Sequence, residues 1–137
     1  MKNKEVVDYM MKNDAFSQWL GLNVIEVNNG KCELEFTVRP EMLNGFYILH
    51  GGISYSAADS ALAFAANSHG IQSVSIETSI SHTKPAKVNE KIKVVAEEMS
   101  CSKKLGIYHV TISNEKNEVI ALFKGTVYRT GKEWSVN

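Results

Sequence analysis

One carboxylate in this chain stands where local preference argues against it. Asp59 falls two turns inside the run from Gly52 to Ser68, in which alanine and other apolar residues dominate. Aspartate is a poor residue for a helix interior, and burying its charge without a partner is costly or raises its pKa. A carboxylate held in such surroundings can serve as a nucleophile or as a general base on water. Upstream, Gly51 and Gly52 sit where the first N–H groups of that helix lack an intrahelical acceptor, beside the positive end of its dipole. Such a start suits an oxyanion. Plainer readings stand beside both. Asp59 fits a narrow exposed stripe with Tyr55 or Ser56, or a hydrogen bond to a neighbouring chain, and the glycine pair fits a tight turn or a close crossing.

The spacing carries a consequence. Gly52 and Asp59 are seven residues apart, so they share a helix face but lie roughly 10 Å apart along its axis. A base or nucleophile must come within roughly 3 Å of its target atom, directly or through one water. The two therefore cannot easily serve one carbonyl carbon from a single chain. Their cooperation requires a second copy whose helix runs antiparallel across a two-fold axis, which predicts a catalytic homodimer with equivalent sites.

The elements that must position these residues follow from periodicity. From about Lys4 to Leu20, Val6, Val7, Met10, Met11, Phe16, Trp19 and Leu20 recur at mostly helical spacing before Gly21, predicting one helix or a pair of short ones. NVIEV comes next, then the turn signal Asn28-Asn29-Gly30, then KCELEFTV. There Cys32, Leu34, Phe36 and Val38 alternate with Glu33, Glu35 and Thr37, the pattern of a hairpin with one wet face. After a loop at Arg39-Pro40, residues from about Gly51 to Ser68 predict a helix of roughly 27 Å, closed by Asn67, Ser68 and Gly70. Strand patterns occupy Ser73 to Ser81, Glu90 to Met99, Gly106 to Ser113 and Val119 to Arg129. With no helices between them, these strands should pair antiparallel. The expected fold class is α+β, with an antiparallel sheet curled around the alanine-rich helix, and the 137 residues suit one domain, 1–137.

Composition excludes several partners. Fifteen basic and fifteen acidic residues cancel, and no stretch gathers Lys and Arg into a stripe that follows a phosphate backbone, so nucleic acid is not expected. The opening MKNKEVVDYMMKND is broken by charges, and no segment approaches the roughly 20 apolar residues of a membrane span. No membrane association and a cytoplasmic location are expected. Cys32 and Cys101 have no CxxC partners, which accords with a reducing compartment. His50, His69, His82 and His109 lack a second ligand at helical metal spacing, so no metal is assigned.

These residues also resemble a family. Asn44-Gly45, His50-Gly51-Gly52 and Asp59 within SAADSALAFAANSHG are similar to the hotdog-fold acyl-CoA thioesterases, particularly the phenylacetate-pathway (PaaI-type) branch. The similarity continues through Lys84-Pro85-Ala86, GIYHVTI (106–112) and IALFKGTVYR (120–129). The resemblance implies a long central helix wrapped by a curved antiparallel sheet of about five to six strands, and a homodimer assembling into a homotetramer. It implies hydrolysis of acyl-CoA with no cofactor, coenzyme A entering as part of the substrate. Asp59 would be the catalytic carboxylate and Gly52 the N–H donor to the thioester oxygen, helped by Gly51. Asn44 and His50 would position the thioester or the attacking water, Asn44 serving the Asp59 of the partner chain. Ser75 matches a position where some members use a hydroxyl to hold the water, and Lys84, Lys103 and Lys104 are the lysines that could meet the nucleotide phosphates of coenzyme A, although surface lysines near turns are usually just solvated. Phe46, Tyr47, Ile48 and Leu49 stand where relatives commonly carry smaller or more polar residues, and these bulky side chains are expected to line or narrow the acyl pocket. A dehydratase of acyl-carrier substrates with His50 as base, and a non-catalytic acyl-CoA or lipid-binding module, are the competing functions. A cystatin-like helix on a sheet is the competing fold.

Overall fold

The structure is a computed structural model and describes residues 1–135. Two short helices, α1 (Lys4–Lys12) and α2 (Ala15–Leu20), precede the hairpin β1 (Asn23–Asn28) and β2 (Lys31–Thr37). A 3-10 turn at Pro40–Met42 leads to the long helix α3 (Gly51–Asn67), and β3 (Ile71–His82), β4 (Lys91–Cys101), β5 (Leu105–Ser113) and β6 (Val119–Glu133) complete the chain. The N-terminal pair separates where Asp14 caps α2: its side chain accepts the N–H of Ser17 at 2.9 Å, an arrangement that favours a fresh helix start. Gly21 then ends α2 in the left-handed region at φ 73°.

The strands form one six-stranded antiparallel sheet in the order β1-β2-β4-β5-β6-β3. Its inner face follows from the period of two seen in the sequence: Cys32, Leu34 and Phe36 on β2, Ile92, Val94 and Ala96 on β4, and Tyr108, Val110 and Ile112 on β5 are all buried. Helix α3 lies against this face and buries Ala57, Ala58, Ala61, Leu62, Phe64, Ala65 and Ala66. Small residues let the helix approach closely, and Gly125 on β6 makes room for it, since a Cβ there would fall 2.5 Å from Leu62 Cδ2. Val7 of α1 and Leu20 of α2 join the same core. Burying a Leu- or Val-sized side chain stabilises by about 1.5–3 kcal/mol, so these contacts are what fasten the N-terminal helices to α3.

The expected helix-and-sheet arrangement is present, with the helix inserted between β2 and β3 rather than before the sheet as the cystatin-like alternative required. Cys32 and Cys101 are both free thiols, one buried and one exposed. No helix among the described residues is long and apolar enough to cross a membrane.

Candidate active site

The start of α3 is fixed by the loop before it. The N–H of Leu49 donates to the Ala86 carbonyl at 2.7 Å and that of His50 to the Met42 carbonyl at 2.8 Å. His50 is the N-cap residue, and its Nδ1 accepts the N–H of Gly52 at 2.8 Å. An accepting Nδ1 places the imidazole proton on Nε2. The Gly52 N–H expected to face substrate is thus already engaged within the chain, while no described residue accepts the N–H of Gly51.

Gly51 lines a cavity of about 400 Å³ together with Asn44, Ile48, Ser54, His82 and Lys84. Asn44 is held by its own loop: its Oδ1 accepts from the N–H of Phe46 at 2.9 Å, and its carbonyl accepts from the N–H of Tyr47 at 3.0 Å. With Oδ1 so occupied, the Nδ2 donors are the end of the side chain that remains to act. Tyr47 adopts φ 60°, in the left-handed region. Phe46 and Tyr47 are 84% and 81% exposed and line neither this cavity nor the one around Asp59, so within one protomer they do not narrow a pocket as expected, whereas Ile48 and Leu49 of the same stretch do line this cavity. Lys84 borders the Asn44 cavity with its ammonium paired to Glu118.

Asp59 faces a different cavity. It is half-buried and lines a space of about 450 Å³ with Met10, Leu62, Val74, Ser75 and Trp134. Burial, and secondarily the negative charge of Asp14, raise its pKa above the ordinary carboxylate value. No hydrogen bond to another described side chain offsets that cost. Ser75 shares the cavity because β3 runs back beside α3 after the turn at Ser68–Gly70.

The predicted residues therefore fall into two groups: Asn44, Gly51 and Lys84 around one cavity, Asp59 and Ser75 around the other, with His50 and Gly52 exposed at the helix start. Sequence reasoning missed His82 and Asp14. His82 ends β3 against Gly51, where a Cβ would fall 2.9 Å from the imidazole Cε1. That packing gives Gly51 a steric reason to be glycine beside its electrostatic one. The aspartate preceding a short helical run three residues before Ser17 was the signal for Asp14.

Comparison with known proteins accords with this architecture. Residues 46–121 match the thioesterase superfamily. The acyl-coenzyme A thioesterase PaaI of Escherichia coli is 34% identical over 122 residues, spanning 89% of this chain and 87% of its own. Its solved structure superposes with a TM-score of 0.93 at 31% identity, covering 96% of this chain and 95% of that one. Human acyl-coenzyme A thioesterase 13 is 30% identical over 115 residues, 82% of each chain. The chain belongs to the thioesterase superfamily and is a hotdog-fold enzyme of the PaaI type.

Proposed function

We propose that this protein hydrolyses acyl-CoA thioesters to the free acid and coenzyme A, at sites shared between two copies of the chain. The observation that carries this reading is the separation just described: Asp59 and Gly51, the helix-start residue whose N–H has no described acceptor, line different cavities of one protomer. The edge strand β3 supports a partner, since among the described residues β6 is its only neighbour in the sheet and Val74 and Ile76 on it are 56% and 59% exposed. Pairing of two β3 edges buries those side chains and satisfies unpaired backbone groups. A homotetramer built from two such dimers is the expected assembly, with each chain acting as one domain. The free thiols accord with the reducing cytoplasm.

In this mechanism the thioester carbonyl lies against the start of α3 of one protomer. Its oxygen accepts from the N–H of Gly51 and displaces His50 Nδ1 as the acceptor of the Gly52 N–H, so negative charge develops at the positive helix end. Asp59 of the facing protomer attacks the carbonyl carbon or takes the proton of the attacking water. Asn44 of the first protomer orients that carboxylate or water through Nδ2, and Ser75 beside Asp59 holds the water. The tetrahedral intermediate collapses with expulsion of the coenzyme A thiolate, a good leaving group that needs little protonation; where Asp59 itself attacks, water then cleaves the acyl–Asp59 anhydride, releasing the acid and restoring the carboxylate. The apolar walls provided by Leu62, Met10, Val74 and Trp134 receive the acyl group, and Lys84 meets the nucleotide phosphates by exchanging its Glu118 partner.

Coenzyme A release from short, medium, long and aromatic acyl-CoAs tests the reaction. Asp59→Asn and Asn44→Ala should each lose at least about a hundredfold in kcat/KM. Mixing and reassociating the two variants should restore about a quarter of wild-type activity, since half of randomly paired dimers carry one intact site. Activity without recovery on mixing sinks the shared site. Tight acyl-CoA binding with no turnover by the wild-type protein favours a binding module.

A further inference from the structure

We propose that His69, Glu98 and Cys101 bind one divalent transition-metal ion, of which Zn²⁺ best suits their donors. The group lies away from both cavities, in the turn that follows α3 and at the far end of β4. One ligand atom from each residue lies within 4.8 Å of the others. His69 Nε2 stands 2.7 Å from Glu98 Oε1, and the hydroxyl of Tyr108 donates to the same oxygen at 2.8 Å.

The backbone brings these residues together by a departure from regular structure. Glu98 and Cys101 are three residues apart on β4, so in a regular strand their side chains would point to opposite faces. The β4–β5 register shifts between Glu98 and Ser100, where Met99 is the additional residue. One extra residue restores a common side for the two. The neighbouring glycines keep the place open. A Cβ on Gly30 would fall 2.9 Å from Glu98 Cβ, and one on Gly106 would fall 2.9 Å from the Tyr108 ring. His69 arrives from the C-terminal end of α3, where the helix dipole favours a cation.

The donor set is imidazole, carboxylate and thiol, which suits zinc and its spectroscopic substitute cobalt rather than magnesium or calcium. Ligand atoms of a tetrahedral zinc lie about 3–4 Å apart, so a shift of about 1 Å by the exposed Cys101 side chain closes the site. Burial raises Glu98, but hydrogen bonds with His69, Tyr108 and Cys101 and the charge interaction with His69 together hold its carboxyl below the ordinary value. Burial and the nearby Glu98 charge raise the Cys101 thiol, opposed by Arg129. Binding therefore releases one proton: the Cys101 S–H bond breaks, its electron pair forms the sulfur–metal bond, and the proton passes to water. His69 Nε2 gives up its hydrogen bond to Glu98, the Nε2 proton being replaced by one on Nδ1 through exchange with water, and coordinates the metal, Glu98 binds through a carboxylate oxygen, and water takes the fourth position. Tyr108 remains as the hydrogen-bond donor that orients Glu98.

Chelator-treated full-length protein titrated with Co²⁺ tests the site. The expected result is one equivalent per chain, with near-ultraviolet thiolate-to-cobalt absorption that Zn²⁺ displaces. Cys101→Ser should abolish that absorption, and His69→Ala should weaken Zn²⁺ binding by about tenfold or more. As a measurement independent of variant folding, saturating Zn²⁺ should slow alkylation of Cys101 in the wild-type protein by about tenfold or more. Cys32 is fully buried and does not report on this. Absence of thiolate absorption, Zn²⁺ binding unchanged in both folded variants, or alkylation unaffected by Zn²⁺ overturns the proposal.

Discussion

The two cavities along α3 are similar in size, about 400 and 450 Å³, yet their polar groups are treated in opposite ways. Around the helix start the polar groups are held by short local hydrogen bonds: His50 takes the Gly52 N–H, and Asn44 Oδ1 takes the Phe46 N–H. Around Asp59 the walls are largely apolar, and the carboxylate meets burial and a second negative charge rather than a described hydrogen-bond donor. One region holds its polar groups in local hydrogen bonds, and in the other burial and Asp14 disfavour the charged form of the carboxylate. In the proposed shared site each region would supply what the other lacks once two copies associate.

The largest effect should come from removing the costly charge. Asp59→Asn is expected to lower kcat/KM by at least about a hundredfold, roughly 2.7 kcal/mol of transition-state stabilisation. The same substitution should raise the melting temperature near neutral pH. The raised pKa means that the folded state binds the proton more tightly than the unfolded one, so wild-type stability falls as pH rises from the ordinary carboxylate range through the raised value. The advantage of the variant should vanish at pH below that range. Melting curves showing no advantage at neutral pH would contradict a penalised charge.

At the donor end, Gly51→Ala places a Cβ against His82. It is expected to reduce kcat/KM by about tenfold or more through misplacement of the helix start, a result that steady-state kinetics on a folded variant would check. His50→Ala removes the cap and should cost about 1 kcal/mol of stability in denaturant unfolding, with a smaller activity loss than Asp59→Asn. A loss comparable to that of Asp59→Asn would instead make His50 a chemical participant, as in the dehydratase reading.

Asp14→Asn sharpens the contrast further. Asparagine keeps the α2 cap but removes a charge that raises Asp59, so the acid limb of the kcat/KM profile should move to lower pH. An unmoved limb would assign it to another group. The smallest change is expected at Phe46→Ala or Tyr47→Ala, within about 0.5 kcal/mol in stability because both side chains are exposed. A changed chain-length preference in these variants would show that a partner covers this loop.

The strand and helix boundaries were largely legible because they are local properties. Alternating Cys32, Leu34 and Phe36 became the buried side of β2, and the alanine-rich run became a helix buried along most of its length. The candidate site was legible only in its residue types. That Asp59 and Ser75 share a cavity depends on β3 returning beside α3, and that His82 packs on Gly51 depends on where β3 ends. Neither contact leaves a periodic trace.

The sequence by itself determined the element order, the wet and dry faces of β2, and a carboxylate about 10 Å along a helix from its glycine start. These follow from side-chain period and backbone rise, which neighbours in the chain specify. Only the tertiary structure decided that Gly52 donates to His50, that Phe46 and Tyr47 turn outward, and that Asp14 acts on Asp59. It also decided that a β-bulge at Met99 gathers His69, Glu98 and Cys101, histidines and thiols whose linear spacing had suggested no metal. Hydrogen bonds, desolvation and Coulomb interactions act over a few ångströms of space, and residues far apart in the chain reach that range only after the sheet has closed around the helix.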